Sequence, residues 1–385
     1  MKLKAFFLLG LAVLTACAPI TDTPVVIEST ATVQTGYPPL ETATALVSTG
    51  YPAPVTETAK PATEIPQPTP PFAEAQLIST ENVDTLELLT RFNQEYAVYD
   101  LVWSPNSNSL AFSSSLGLFV YDLTTNENRQ LIDATLYDSR AELAFSPKGK
   151  LLALAIVGVE TRLIDVETGK LVRTFVDEEA ESVAFHPNGS DLILTTGLEL
   201  SLLDIETGEL KHTFSVPSTG RKLRQVTVAP NGELIAASTT GGGLYVWDSK
   251  SGNIKFQTTS SLFLARQLVF SPNSQLLALG DNSAPGLQLW SINSKQMVFG
   301  ANTQAGVNGV SFTPDGSIVA NAGGAPNTIE FWQAKNGELI SRIELSNHEF
   351  EDSFIADIAF SPDGRLFAST GEDGNGLILW GVVNP

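Results

Sequence analysis

Asp100, Glu142 and Asp357 share one position: each stands five residues before a proline, at Pro105, Pro147 and Pro362. The same offset from Pro187, Pro230, Pro272 and Pro314 gives Ser182, Gln225, Gln267 and Gly309. Three carboxylates brought together by a repeating fold could hold a hard cation such as calcium, which takes oxygen ligands, or meet a basic partner. The competing expectation is three solvated acids at a wide opening. A second group is basic and aromatic: Arg221, Lys222 and Arg224 in one loop, Arg266 one repeat later, and Phe350 and Phe354 in the longest loop. Cations and loop aromatics are frequent contact points for a protein partner.

Other chemistry is sparse. The chain has three histidines, His186, His212 and His348, and one cysteine, Cys17. His186 takes the place of the serine in a Ser-Pro turn and reads as structural. His212 falls in an outer strand and reads as exposed. His348 sits beside Glu349, Glu351 and Asp352, too few strong ligands for a zinc site. No nucleophile elbow, phosphate loop or His-Glu-x-x-His motif occurs. No cofactor is expected, and no catalytic residue is assigned.

The elements that position these residues repeat. The seven prolines are spaced by 42, 40, 43, 42, 42 and 48 residues. Each copy starts with alternating apolar residues, as in Val183-Ala184-Phe185, which read as a strand. Proline ends it, because proline fixes φ and lacks an amide donor. Asn or Asp followed by Gly then makes a turn, with Ser107 and Ser274 in place of Gly in two copies. A second strand, a Gly/Ser/Asn-rich loop, a third strand such as Leu244-Tyr245-Val246-Trp247-Asp248, a tight turn and a fourth strand follow. A period near 42 falls in the range of four-stranded propeller blades. The expected fold is all-β: a seven-bladed β-propeller of four-stranded blades. Copy seven ends after its third strand, and a spare strand, Thr85-Leu86-Glu87-Leu88-Leu89, precedes copy one. That strand is expected to complete blade seven and close the ring.

These phrases resemble WD-repeat propellers over about residues 83–385. Trp stands in the third strand of copies four to seven, whereas the first three end Tyr121-Asp122, Ile164-Asp165 and Leu203-Asp204. The Gly-His pair of that family is missing, so its His-Ser-Asp-Trp network is expected at most once, through His348, Ser369, Asp373 and Trp380. Copy one, LVWSPNSNSLAFSSSLGLFVYDL, also resembles the TolB-type propeller repeat. The resemblance implies an interaction scaffold. The alternatives are a propeller enzyme or a small-ligand or calcium binder at the channel mouth.

The N-terminus opens with Lys2 and Lys4, ten apolar or small residues, and Leu14-Thr15-Ala16-Cys17. Ten helical residues span about 15 Å, half a bilayer core, so this reads as a signal-peptide core. The last four residues resemble the lipobox of bacterial lipoproteins, which implies lipidation at Cys17. Residues 18–76 hold 11 of the 22 prolines and 12 threonines, a composition that reads as a disordered stalk. The expected organisation is a lipoprotein signal peptide at 1–16, lipidated Cys17 and stalk at 17–76, and propeller at 77–385. The expected localisation is a bacterial membrane, lipid-anchored and facing outside the cytoplasm, with an envelope-assembly role as a further alternative. Net charge is −20, from 22 basic and 42 acidic residues, which argues against a nucleic-acid partner. The expected partner is a protein, and the propeller is expected to be monomeric.

Overall fold

The computed structural model describes residues 72, 74–92, 97–133, 141–175, 180–217, 221–259, 265–281, 285–303, 306–323, 327–345, 354–371 and 376–383. They fall in one compact unit, Pro66–Pro385. Seven four-stranded antiparallel sheets form seven blades. The first strands are Val98–Trp103, Ala141–Phe145, Val183–Phe185, Leu223–Val228, Ala265–Phe270, Gly309–Phe312 and Ile355–Phe360. Each touches the next, and the seventh touches the first, so they line a closed ring.

The repeat grammar explains each blade. Second strands are almost wholly buried, as in Leu151–Ile156 and Leu366–Gly371, because they pack against blades on both sides. Their side chains alternate between two inter-blade cores: Leu152 and Leu154 face one, Ala153 and Ala155 the other. One blade cannot bury both of its faces; a ring of them can. The Ser-Pro turns are tied by their own side chains. Ser146 Oγ, for example, accepts from Leu151 N at 3.0 Å.

The outer strand of blade seven is Glu87–Phe92, paired antiparallel with Gly376–Gly381. The expected closure is therefore what the chain does. The strand starts two residues later than the sequence suggests, because Val83–Thr85 forms a 3-10 turn that buries Val83. The clasp also reaches further upstream. Gln76 N donates to Val382 O at 2.8 Å and Ile78 N to Gly364 O at 2.8 Å, and Arg365 Nη1 donates to Ala75 O at 2.8 Å. Phe72 and Ala75, which composition assigns to the segment before residue 77, are buried against blades one and seven. Ile78 and Val83 are buried against blades six and seven.

Antiparallel pairing fixes the two faces. The turns between strands one and two, and between three and four, emerge on one face. The turns between strands two and three share the other face with the loops that lead into each first strand. These are called the turn face and the lead-in face below.

Candidate functional site

The residues five before each repeat proline stand at one level of the first strands, where their side chains make a belt around the channel. Four of them bond the backbone of the next blade. Asp100 Oδ2 accepts from Leu143 N at 2.6 Å, and Ser182 Oγ from Val226 N at 3.2 Å. Gln267 Oε1 accepts from Val310 N, and Asp357 Oδ2 from Leu101 N at 3.3 Å across the closing seam. Gly309 has no side chain to offer, and a Cβ there would lie 2.8 Å from Ile358 N. Two bonds join blades that are not neighbours. Gln225 Nε2 donates to Glu142 Oε1 at 2.7 Å, and Gln267 Nε2 to Asp357 Oδ1 at 2.8 Å.

The three acids thus come together, but as members of a hydrogen-bonded plug rather than as solvated groups at an opening. Asp357 is only 4% exposed. Burial, followed by the Glu142 and Asp357 charges, holds the Asp100 carboxyl well above the ordinary carboxylate range. Burial also raises Asp357, against hydrogen bonds from Asp100, Ile358 N, Gln267 and Leu101 N. Two hydrogen-bonded carboxyls in one buried site share a proton more readily than they carry two charges. Their oxygens are already used by Leu101, Leu143, Ile358 and Gln267. Among the described residues no group of three His, Cys, Asp or Glu side chains is placed to hold a metal ion.

Above the belt, Tyr99, Arg266 and Asn308 line the lead-in mouth with the acids. Below it a funnel of about 550 Å³ opens to the turn face, walled by Val102, Ala144, Ala184 and Thr227. The partner set of Gln225 and Gln267 is what sequence reasoning missed. Their recurrence at the acid position was the available signal.

The basic and aromatic residues separate. Arg221 and Lys222 are exposed in the lead-in loop of blade four, and Phe354 is 46% exposed before blade seven. The Arg221 stem lies across Gly241, where a Cβ would sit 1.9 Å from its Cδ. Arg224 is half-buried in its first strand, and Arg266 joins the channel mouth instead of the loop surface. Phe350 and Cys17 lie outside the described residues, as do His348 and Asp373. Of the expected tryptophan network, Trp380 Nε1 donates to Ser369 Oγ at 3.0 Å. Blade six replaces that serine with Asn321, which accepts from Trp332 Nε1 at 2.6 Å. His186 Nε2 lies 3.0 Å from Gly232 O and ties two turns together. His212 is half-buried, edge-on to Phe214 at 4.6 Å between ring centroids.

Fold and belt together define a closed seven-bladed β-propeller. The WD domain, G-beta repeat, family profile matches residues 293–333 and 339–378. Periodic tryptophan protein 2 of Arabidopsis thaliana is 27% identical over 250 residues, 63% of this chain and 27% of that protein. Telomerase protein component 1 of Rattus norvegicus is 26% identical over 226 residues, 56% of this chain and 8% of that protein. The chain therefore spans about a quarter or less of these relatives. The Cps50 (Swd1) β-propeller domain of Myceliophteria thermophila superposes with a TM-score of 0.67 at 17% identity, covering 77% of this chain and 100% of that domain. That likeness is one of fold.

These relatives overturn the bacterial lipoprotein reading. They come from a plant, a rat and a fungus, and none is named as a lipoprotein. With it fall the signal peptide, the lipid on Cys17, the membrane as partner, the localisation outside the cytoplasm and the envelope-assembly alternative. The resemblance rested on four residues, Leu14-Thr15-Ala16-Cys17, beside an apolar run, a pattern short enough to arise without a lipid anchor. Residues 1–71 lie outside the described residues. Among the described residues no helix is long and apolar enough to cross a membrane. The WD-repeat resemblance agrees with the profile match over residues 293–333 and 339–378.

Proposed function

We propose that this propeller is a protein-binding scaffold that docks a protein partner on its lead-in face. The observation that carries this reading is the division of labour in the ring. The belt spends its polar side chains on bonds between blades, whereas the lead-in face leaves Arg221, Lys222 and Phe354 exposed. A rigid ring with variable loops suits recognition, since binding then costs little ordering of the scaffold. The match to the WD domain, G-beta repeat, profile supports the same class.

The test is affinity capture from cell extract with cross-linking. Wild type is compared with a variant carrying Arg221→Ala, Lys222→Ala and Phe354→Ala, after both are shown to melt alike. Partners held by wild type and lost by the variant place docking on this face. Identical capture by both proteins would move docking elsewhere.

A further inference from the structure

Exposed aliphatic side chains recur at two addresses. One is the start of the fourth strands: Leu171, Leu210, Ile254, Met297 and Leu339. These pair across the sheet with Ile164, Leu203, Trp247, Trp290 and Trp332. Directly opposed residues share one face of a sheet, so this set covers the third strand and has a structural purpose. The other address is the tip of the turn between strands two and three. Leu116, Val159 and Leu198 stand there in blades one, two and three, at 50%, 50% and 48% exposure. Each tip projects beyond the last paired residues of its hairpin, Ser114 with Gly117, Ile156 with Glu160 and Thr196 with Glu199. No strand lies opposite to account for them.

The three blades are consecutive, so the tips form an arc on the lead-in face, with Phe354 of blade seven on the side of blade one. The other end of the arc is basic. Leu223 N donates to Gly197 O at 2.6 Å, and Thr240 N donates to Lys222 O at 2.8 Å. Those bonds seat Arg221 and Lys222 between the Leu198 tip and the turn of blade four. That turn, Thr240-Gly241-Gly242, has no aliphatic residue of its own, and Arg221 lies over Gly241. An apolar run that ends in two exposed cations, on a chain of net charge −20, offers counter-charges to an acidic segment at that end.

We infer that this arc docks an acidic peptide segment carrying aliphatic side chains. Its aliphatic residues meet the three tips in succession, and its carboxylates meet Arg221 and Lys222. The separation of the tips onto three blades suits a linear chain crossing the ring rather than a single pocket. Such a contact draws affinity from the apolar anchors and orientation from the charges. The inference rests on the docking reading above and names its partner class.

The test uses labelled synthetic peptides and fluorescence anisotropy: one of alternating Glu and Leu, one of Lys and Leu, one of Glu and Ser. Wild type is expected to bind the Glu/Leu peptide, to bind the other two at least tenfold more weakly, and to release it as salt is raised. Leu198→Ser and Arg221→Glu are each expected to weaken binding at least tenfold. Leu210→Ser, in the first set of aliphatics, is expected to leave it unchanged. Equal binding of the Lys/Leu peptide, no peptide binding, or binding indifferent to Leu198 and Arg221 overturns the inference. Retention on phosphatidylserine vesicles in place of the peptide also overturns it. Capture that depends on Arg221, Lys222 and Phe354 while every peptide fails would leave the docking reading standing and this one refuted. Failure of both experiments would remove both.

Discussion

Ser274 holds a φ of +61°, in the left-handed region, at a position where most of the turns place glycine. Its hydroxyl accepts from Asn231 N of the preceding blade at 3.2 Å. Ser107 repeats the arrangement, with φ +60° and a bond from Asp363 N at 2.9 Å across the closing seam. Each serine therefore trades local strain of about 1 kcal/mol or more for an inter-blade hydrogen bond worth about 1 kcal/mol. Two substitutions separate these effects. Ser274→Ala keeps the strain and loses the bond, so it is expected to lower unfolding free energy by about 1 kcal/mol. Ser274→Gly loses both, and is expected to change it by no more than about 0.5 kcal/mol. Denaturant titration of the two variants decides; equal costs would show that the hydroxyl, not the backbone, carries the whole effect. Gly309 is the opposite case, since its hydrogen leaves the room that blade seven occupies. Gly309→Ala is expected to cost about 1–3 kcal/mol through overpacking, read from the same titrations.

At the scale of elements, the strand Glu87–Phe92 does more than fill a gap. It hydrogen-bonds the last strand of the chain's last blade, and the segment before it is bonded to Val382, Gly364 and Arg365. Removing residues 83–92 is expected to bare the edge of Gly376–Gly381, and an unprotected edge templates aggregation. The measurement is size-exclusion chromatography with light scattering: the deletion should shift protein into aggregates, and a monomeric peak that melts like wild type would refute the clasp. This closure is legible in the sequence because strands alternate, prolines punctuate, and one copy comes up a strand short. The upstream strap is not legible. Phe72, Ala75, Ile78 and Val83 have no period, and proline-rich composition masks the first two. The belt is legible only in part. The repeat reveals that Asp100, Glu142 and Asp357 occupy one level, but not that Gln225 and Gln267 reach across to Glu142 and Asp357. How far a side chain reaches depends on channel radius, a property of the closed ring and not of any one copy. Likewise the Leu116, Val159 and Leu198 tips gain meaning only when their blades are set side by side.

At the scale of the molecule, two sets of carboxylates oppose each other in how they respond to acid. In the turns between strands three and four, Asp204 is pulled down to about 2 by Lys211 and the backbone amides of Thr207 and Glu206. Asp248 is pulled down to about 2 by Ser251 and Lys255. A carboxyl lowered by folding contributes stability above its unfolded value and loses it as pH falls toward its folded value, here from about 4 down to about 2. In the belt, Asp100 and Asp357 are raised. A raised carboxyl binds its proton more tightly when folded, so its contribution is complete below the unfolded value and is lost as pH rises through the folded one. The excess of 42 acidic over 22 basic residues adds self-repulsion on the same side. Stability is therefore expected to peak below neutrality, at roughly pH 5, falling gently toward pH 8 and steeply below about pH 4. The alkaline side has two causes that can be told apart. Asp100→Asn removes the shared proton; its one oxygen keeps the bond from Leu143 N and its amide can donate to Asp357, while Leu101 N gives up Asp100 and retains Asp357 Oδ2. It is expected to raise the melting temperature at pH 8 and flatten the alkaline limb, with little change at pH 5. Added salt, which screens surface repulsion but reaches a buried pair poorly, should flatten whatever slope the variant retains. Thermal melts of both proteins from pH 3 to pH 8, at low and high salt, measure both. An Asp100→Asn variant that melts lower than wild type at pH 8 would mean that the acid pair holds the seam as an ion, and that the belt is charged at its centre.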